Sequence, residues 1–185
     1  MFKVLMVVLL LAGSQAFAEP RLRPGTWATP VIGTTLNNFY WVDNNIYRAE
    51  QPDEEDFKAL AKLGIKEILN LREYHRDEDA EENQFAVHRL PMAAGSVSEQ
   101  QLLEALTLIK NRKGPLLIHC WHGSDRTGAT VAAYRLVFQN WSKEQAIDEM
   151  VNGGYGYHAG IYPNLLELIN KLDVAKIRKQ LQVGF

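Results

Sequence analysis

The sequence predicts a single α/β domain with a central, mostly parallel β-sheet flanked by helices. Short apolar runs of strand length alternate along the chain with segments of helical periodicity, which is the pattern of parallel strands joined by helical crossovers. The length of 185 residues suits one domain with a sizeable core, and the chain contains no internal repeat. In such a fold ligands bind at the carboxyl ends of the strands.

The first 18 residues have the pattern of a secretory signal peptide. Lys3 is the positive flank, residues 4–12 form the apolar core, and Ala18 ends a small-x-small cleavage sequence. The apolar run is too short for a comfortable membrane span. We therefore expect cleavage after Ala18, a periplasmic or secreted mature protein, and no stable membrane insertion.

The segments that follow the signal alternate in character. Residues 19–37 are predicted to be an N-terminal leader, rich in proline and glycine, and residues 38–185 the folded domain. Short aromatic runs predict the first strands, Gly64 is a helix-ending glycine, and an apolar run follows it. The predicted elements of this half are strands at 39–42 and 46–48, a helix at 52–63 and a strand at 65–71.

The second half of the chain continues the alternation. A charged, helical stretch at 77–85 precedes a strand at 86–90. Residues 98–111 present four apolar side chains on one face of a helix, as expected for packing on a sheet. The apolar run at 116–120, after a glycine–proline turn signal, predicts a buried strand. Helices are predicted at 127–139, 142–151 and 162–181.

The loop after the strand at 116–120 carries the chemistry. Cys120, the only cysteine in the chain, is followed after five residues by Arg126. Strand, tight loop and helix is the geometry in which backbone N–H groups surround a phosphate at a helix N-terminus. We therefore predict a phosphate-binding loop between a strand and a helix. Its residues are Trp121, His122, Gly123, Ser124, Asp125 and Arg126.

Each residue type in this loop has a chemical role. Helix N-termini and nearby cations lower thiol pKa values, so we expect Cys120 to act as a thiolate nucleophile. Arg126 can donate two parallel hydrogen bonds to phosphate oxygens. Thr127 is close enough in sequence to donate to the cysteine sulfur when it leaves. Gly123 and Gly128 allow close backbone approach to the ligand. The loop and the arginine supply the positive field, so no metal or other cofactor is expected.

The sequence His119-Cys120, five residues, then Arg126-Thr127-Gly128 resembles the signature loop of the cysteine-dependent protein tyrosine phosphatase superfamily. The chain resembles most the compact dual-specificity branch and its bacterial periplasmic relatives. Residues 46–52 and 65–72 are also similar to segments of those enzymes, and the resemblance spans residues 38–172. It implies a hydrolase of phosphotyrosyl proteins, with phosphoserine and phosphothreonine secondary, that forms a phosphocysteine intermediate.

Three alternatives to this interpretation remain open. A lone cysteine after an apolar run is often a buried, inert residue. Rhodanese-type sulfurtransferases use a similar loop, but with the cysteine and basic residue usually closer together. A phosphate-binding module without turnover would usually have lost its cysteine or arginine, and here Cys120 and Arg126 are both present.

The general acid is left unassigned. The resemblance would place an aspartate just after Pro91, where this chain has Met92. The carboxylates considered instead are Asp125, Glu99 and those within residues 50–56 and 72–82. Glu99 fits the first turn of a helix with Ser98 as its N-cap, and the two acidic stretches fit a helix start and a solvated face. A missing acid would predict a slow enzyme or one that prefers good leaving groups.

The remaining features concern substrate and partners. Relatives that act on inositol phosphates tend to carry lysines in the loop, and this loop has none, which argues against polyphosphorylated substrates. Residues 153–160 and Trp121 are either pocket-rim groups or packed aromatics, and Asn70 and Arg72 are either rim groups or ordinary strand-end residues. The net charge of −2 and the absence of a basic tract argue against nucleic-acid binding. The oligomeric state is not predicted.

Overall fold

The computed structural model describes residues 22–43 and 45–184 and confirms the predicted fold class. The signal segment lies outside the described residues. Within them, the chain contains six strands in one mostly parallel sheet and seven α-helices. The strands are β1 (Thr29–Pro30), β2 (Tyr40–Asp43), β3 (Ile46–Ala49), β4 (Glu67–Asn70), β5 (Ala86–Arg89) and β6 (Leu116–His119). The helices are α1 (Glu54–Lys62), α2 (Glu78–Glu82), α3 (Glu99–Asn111), α4 (Asp125–Phe138), α5 (Lys143–Asn152), α6 (Pro163–Lys171) and α7 (Val174–Leu181).

The sheet has the strand order β1-β2-β3-β6-β4-β5. The pairs β3–β6, β6–β4 and β4–β5 are parallel, while β1–β2 and β2–β3 are antiparallel. The strand β6 therefore lies in the interior of the sheet, and all of its side chains are buried. Because its neighbours β3 and β4 run in the same direction, their carboxyl ends meet beside the end of β6, at Ala49, Asn70 and His119.

Successive residues of the central strands face opposite layers, as strand geometry requires. Ile68 and Leu117 pack with α1 and α2, whereas Leu69 and Ile118 pack with α3 to α7. The helix α4 is the centre of the second layer and is buried along nearly its whole length. Such a helix packs against neighbouring elements along nearly its whole length, and these contacts fix the position of its N-terminus.

Several predicted boundaries differ from the structure. The predicted helix at 162–181 is wrong as a single helix, because it is divided at Leu172 and Asp173; the Asp173 carboxylate accepts a hydrogen bond from the Lys176 N–H and begins α7. The helix predicted from Thr127 begins two residues earlier, at Asp125. The strand β1 lies in the segment predicted to be a leader and pairs with β2.

Helix ends follow the predicted local chemistry. Ser98 caps α3 in a capping box with Gln101, as its position before the helix indicated. Gly64, after α1, has a φ of +84°, a conformation that glycine adopts without strain. These local signals are reliable because they depend on neighbouring residues only.

Candidate active site

The loop between β6 and α4 forms a cradle of backbone N–H groups, at residues 121–126, that are unpaired within the described chain. The structure shows no hydrogen-bond acceptor, among the described residues, for any backbone N–H from residue 121 to residue 126. Cys120, at the carboxyl end of β6, is 2% exposed and is a free thiol. The N-terminus of α4 begins at Asp125, and its unpaired N–H groups carry partial positive charge. The loop therefore offers several donors to one small anion.

Side-chain donors complete the cradle. Arg126 donates from Nη1 to the carbonyl of Met92 over 3.2 Å, while its Nε is buried without a partner in the described chain. The hydroxyl of Thr127 is also buried and, among the described residues, unpartnered. Buried polar groups without partners are costly and need a specific explanation, of which a catalytic or binding role is one. Both groups are thus available to a phosphate or to the cysteine sulfur.

Arg48, on the neighbouring strand β3, supports the loop from inside the protein. This arginine on β3 is fully buried, and its Nη2 donates to the carbonyl of Gly123 over 2.6 Å. Its Cζ atom lies 3.6 Å from the centroid of the Tyr155 ring. Burial lowers the pKa of the Arg48 guanidinium, and the nearby Tyr155, Glu149 and Cys120 oppose that change. Sequence analysis included Arg48 in the similar segment 46–52 but gave it no role, although an arginine inside a buried strand has to be paired and was therefore a usable signal.

Packing of the loop against β3 requires a glycine at position 123. Its φ is +69°, and a Cβ there would collide with the carbonyl of Ala49 and lie 2.7 Å from the Glu50 N atom. The close approach is therefore between the loop and the end of β3. Gly128 lies inside α4, and a Cβ there would lie 3.3 Å from Met150. Both glycines thus permit close packing within the protein, and their approach to a ligand stays a prediction.

A second support lies behind the strand–loop junction. His119 is fully buried, and its Nε2 lies 2.8 Å from Oδ2 of Asp77. Gln51 donates to Oδ1 of the same carboxylate, and its backbone N–H donates to the Trp121 carbonyl. Burial disfavours ionisation of Asp77, but the contacts with His119 and Gln51 outweigh it and lower the pKa of Asp77. Asp77 is therefore a structural anion.

Several of the carboxylates considered for the general acid are engaged elsewhere. Met92, at the position expected for the acid, is fully buried. Glu99 pairs with Lys176 over 3.0 Å. Asp53 and Asp56 form the capping box of α1.

Asp125, another carboxylate considered for the general acid, is hydrogen-bonded to His158. Its carboxylate accepts hydrogen bonds from the backbone N–H and the ring Nδ1 of His158, at 3.0 and 2.9 Å. The ring is on the connection between α5 and α6, which sequence analysis considered for its tyrosines and not for its histidine. Of those tyrosines, Tyr155 is buried and donates to Glu149, so a rim role for it is wrong.

A cavity of about 290 Å³ opens beside the loop. Its wall combines apolar and aromatic groups with two histidines, one carboxylate and one guanidinium: Ala94, Trp121, His122, Asp125, Arg126, His158, Ile161 and Tyr162. Trp121 is 57% exposed, which makes it a rim group. Arg72 lies 4.2 Å from the ring centroid of Trp121, and its backbone N–H donates to Asn70, which is buried.

Comparison with known proteins gives concordant results. A model of the tyrosine phosphatase family matches residues 34–170. The dual specificity protein phosphatase TpbA of Pseudomonas aeruginosa is 33% identical over 153 residues, which cover 80% of this chain and 68% of TpbA. The inositol diphosphatase DSP4 of Arabidopsis thaliana is 31% identical over 122 residues, covering 60% of this chain and 61% of that protein.

Solved structures agree with the sequence matches. The crystal structure of P. aeruginosa TpbA superposes with a TM-score of 0.78 at 28% identity, over 87% of this chain and 99% of TpbA. A cysteine-to-serine form of TpbA has been solved in complex with phosphotyrosine. The catalytic domain of the PP-IP phosphatase SIW14 from S. cerevisiae gives a TM-score of 0.68 at 26% identity, over 80% of this chain and 92% of that domain.

Proposed function

This chain belongs to the tyrosine phosphatase family, and we propose that it hydrolyses phosphotyrosine monoesters of proteins through a cysteinyl-phosphate intermediate, with phosphoserine and phosphothreonine as secondary substrates. The observation that carries this proposal is the cradle of unpaired N–H groups around Cys120, completed by the unpaired Nε of Arg126. The family match favours a phosphatase over a sulfurtransferase or a binding module without turnover.

In the first step the Cys120 thiolate attacks phosphorus while the loop N–H groups and Arg126 hold the phosphoryl oxygens. Three guanidiniums favour the anion: Arg126 in the loop, Arg48 beneath it, and Arg72 at the rim. Burial lowers the pKa of Arg72, and the charge of Arg126 lowers it further, while Asp77 and Cys120 act in the opposite direction. Preorganised donors of this kind stabilise the charge that develops on the transferred phosphoryl group.

In the second step water attacks the phosphocysteine, and the thiolate leaves. We propose that the unpaired hydroxyl of Thr127 donates to the departing sulfur, because it is buried next to the loop and lacks another acceptor in the described chain. A hydrogen bond to an anion stabilises it more than a neutral bond does. Phosphate then leaves the cradle.

The cavity supports the choice of an aryl phosphate. Trp121, Ile161 and Tyr162 offer apolar contact surface at the mouth, which suits the ring of phosphotyrosine. Residues 121–125 contain no lysine, so the loop offers little extra charge for a second or third phosphate. TpbA, which has been solved with phosphotyrosine, is a better guide to substrate class than the inositol diphosphatases.

We also propose that the protein is exported, that its signal peptide is cut after Ala18, and that residues 38–185 form the phosphatase domain, to whose sheet the preceding segment 19–37 adds β1. The pattern of Lys3, the apolar core and the small residues before Glu19 supports this. Among the described residues no helix is long and apolar enough to cross a membrane. N-terminal sequencing of the protein from a periplasmic fraction tests the cut; a chain that begins at Met1 would contradict it.

The function is tested by turnover of p-nitrophenyl phosphate and a phosphotyrosyl peptide in the presence of a chelator. We expect activity in the wild type and none above background in Cys120→Ser or Arg126→Ala. Inorganic vanadate should inhibit the wild type. A wild type that binds vanadate but hydrolyses neither substrate would refute the proposal, as would activity that survives in Cys120→Ser.

A further inference from the structure

The reaction needs a proton for the leaving oxygen, and the cavity contains no free carboxylate that can donate it. Among the described residues that line the cavity, the one carboxylate is Asp125, and it is an acceptor for His158. Met92 occupies the position at which the family resemblance predicts an aspartate. The candidates for a protein proton donor are therefore the other titratable groups of this wall.

His158 lies in the cavity wall with its ring fixed by a carboxylate, which is the arrangement expected of a proton donor. Its Nδ1 is bound by the Asp125 carboxylate at 2.9 Å, and its backbone N–H donates to the same carboxylate at 3.0 Å. The ring is 40% exposed and lines the cavity with Arg126. When Nδ1 donates to a carboxylate, the other ring nitrogen, Nε2, is the one left to exchange a proton with a ligand.

We propose that His158, oriented by Asp125, is the general acid of this phosphatase. The inference rests on the proposed function. As the sulfur of Cys120 bonds to phosphorus, the bond from phosphorus to the ester oxygen breaks, and its electron pair goes to that oxygen. The oxygen takes the proton from Nε2 of the imidazolium, which becomes neutral imidazole, and the alcohol or phenol leaves.

The second step restores the acid. Neutral His158 accepts a proton from the attacking water while the oxygen of that water bonds to phosphorus. The bond from sulfur to phosphorus breaks, and its electron pair returns to Cys120 as thiolate. The proton count closes, and no oxidant, reductant or metal takes part. Asp125 is a positioning residue, because it acts through the ring of His158.

The surroundings of His158 favour it over the other imidazole of the wall. The ring of His122 lies 5.8 Å from that of His158 and belongs to the phosphate-binding loop itself. The charged and titratable groups that line this wall with His158 are Asp125 and Arg126 on α4, His122 on the loop, and Tyr162 at the start of α6. Of the two rings, His158 is the one fixed by a buried carboxylate, which a directional proton transfer requires.

The test compares leaving groups in the variant His158→Asn, whose amide can still donate to Asp125 but cannot transfer a proton. The rate constant kcat/KM, which reports formation of the phosphocysteine, is measured for p-nitrophenyl phosphate, phenyl phosphate and phosphotyrosine. We expect losses of about 10²- to 10⁴-fold for the two poor leaving groups. The loss for p-nitrophenyl phosphate should be much smaller, because p-nitrophenolate leaves without protonation.

The pH profile gives a second readout. In the wild type kcat/KM for phenyl phosphate should fall on the basic side as the acid loses its proton, and this basic limb should vanish in His158→Asn. In Asp125→Asn the leaving-group dependence should shift toward that of His158→Asn, because the ring is no longer held by a carboxylate. Vanadate inhibition of each variant reports whether the loop is intact, and His158→Gln is a second variant at this half-exposed position.

The matched control is His88→Asn. His88 also pairs with a carboxylate, Glu67 at 2.7 Å, but on β5 away from the cavity, so all three substrates should react as with the wild type. Unchanged leaving-group dependence in His158→Asn with intact vanadate binding would overturn the inference, as would the expected pattern in His122→Asn instead. Loss of Cys120 dependence would overturn the proposed function itself, so the two failures are distinguishable.

Discussion

The guanidinium of Arg48 donates to the carbonyl oxygen of Gly123 over 2.6 Å, although 75 residues separate the two in sequence. This bond ties the end of β3 to the middle of the predicted phosphate-binding loop and gives the Gly123 carbonyl a partner inside the protein. The loop is thus held by a buried cation from a neighbouring strand, while its backbone N–H groups have no acceptor among the described residues.

Arg48→Met keeps much of the buried stem but removes this bond. Hydrogen bonds to charged groups contribute about 1.5–3 kcal/mol. If the loop loses all of this free energy, its affinity for vanadate falls by about 10- to 100-fold. We expect inhibition by vanadate to weaken within that range and kcat/KM to fall with it. Arg112→Met, which removes a similar bond to the Ile109 carbonyl at the end of α3, is the control. Equal vanadate inhibition in both variants would contradict the prediction.

Gly123→Ala should lower activity by more than the conformational cost of an alanine at positive φ. Gly64 has a similar positive φ but no atom within 4 Å of a new Cβ, so Gly64→Ala measures the conformational cost, about 1–2 kcal/mol. Gly123→Ala adds the collision with β3 and displaces the loop. We expect a loss of about 10²-fold or more in kcat/KM for Gly123→Ala alone. Thermal unfolding measures the loss of stability in the two variants, and p-nitrophenyl phosphate kinetics measure the loss of kcat/KM. Equal losses of kcat/KM in both variants would contradict the prediction.

Thr127→Val should slow the breakdown of the phosphocysteine. The variant keeps the shape of the side chain but loses the hydroxyl proposed to stabilise the sulfur. We expect a burst of one p-nitrophenolate per enzyme in rapid mixing, followed by a slower steady state. Thr130→Val is a matched control, since Thr130 is also buried and unpartnered within the described chain but lies further along α4. A burst in both variants, or in neither, would speak against the role of Thr127.

Asp77 should make stability depend on pH. The pKa of Asp77 is lowered in the folded chain, so between that value and the ordinary carboxyl value of about 3.9 the unfolded chain binds more protons. The stabilisation is therefore complete above about pH 4 and is lost as the pH falls through the folded value. We expect Asp77→Asn to be less stable than the wild type by about 1–3 kcal/mol at pH 7, and the difference to shrink in acid.

Urea unfolding of both proteins at several pH values between 7 and 3 measures this difference. Glu78→Gln, at an exposed position in α2, should follow the wild type throughout. A difference between Asp77→Asn and the wild type that stays constant with pH would show that the Asp77 carboxylate is not stabilised as an anion.

Trp121→Ala should weaken binding of aryl substrates with little change in kcat. An aromatic pair contributes about 0.5–1.5 kcal/mol beyond its buried area, so KM for a phosphotyrosyl peptide should rise about 2- to 10-fold. KM for a phosphoseryl peptide should change less. Trp41→Ala, at a half-exposed position on β2, is the control. Equal effects of Trp121→Ala on the two peptides would contradict a rim contact with the tyrosyl ring.

The fold class was predictable because it depends on repeated local patterns. Apolar runs of strand length and helical periodicity appear wherever an element packs on the sheet, so the alternation is visible without any tertiary information. The single helix predicted at 162–181 failed for the same reason: apolar spacing continues across the break, while the Asp173 cap that divides α6 from α7 is a competing local signal.

The sequence by itself identified the loop and the two residues proposed to carry the chemistry, Cys120 and Arg126. Both lie in one short, continuous segment of backbone, so their closeness along the chain also keeps them close in space. Only the tertiary structure decided what surrounds them. His158 reaches Asp125 across 33 residues, and Arg48 reaches the loop from a different strand. Such contacts depend on how the sheet and the helices pack, and no local pattern encodes the distance between two side chains that packing alone brings together.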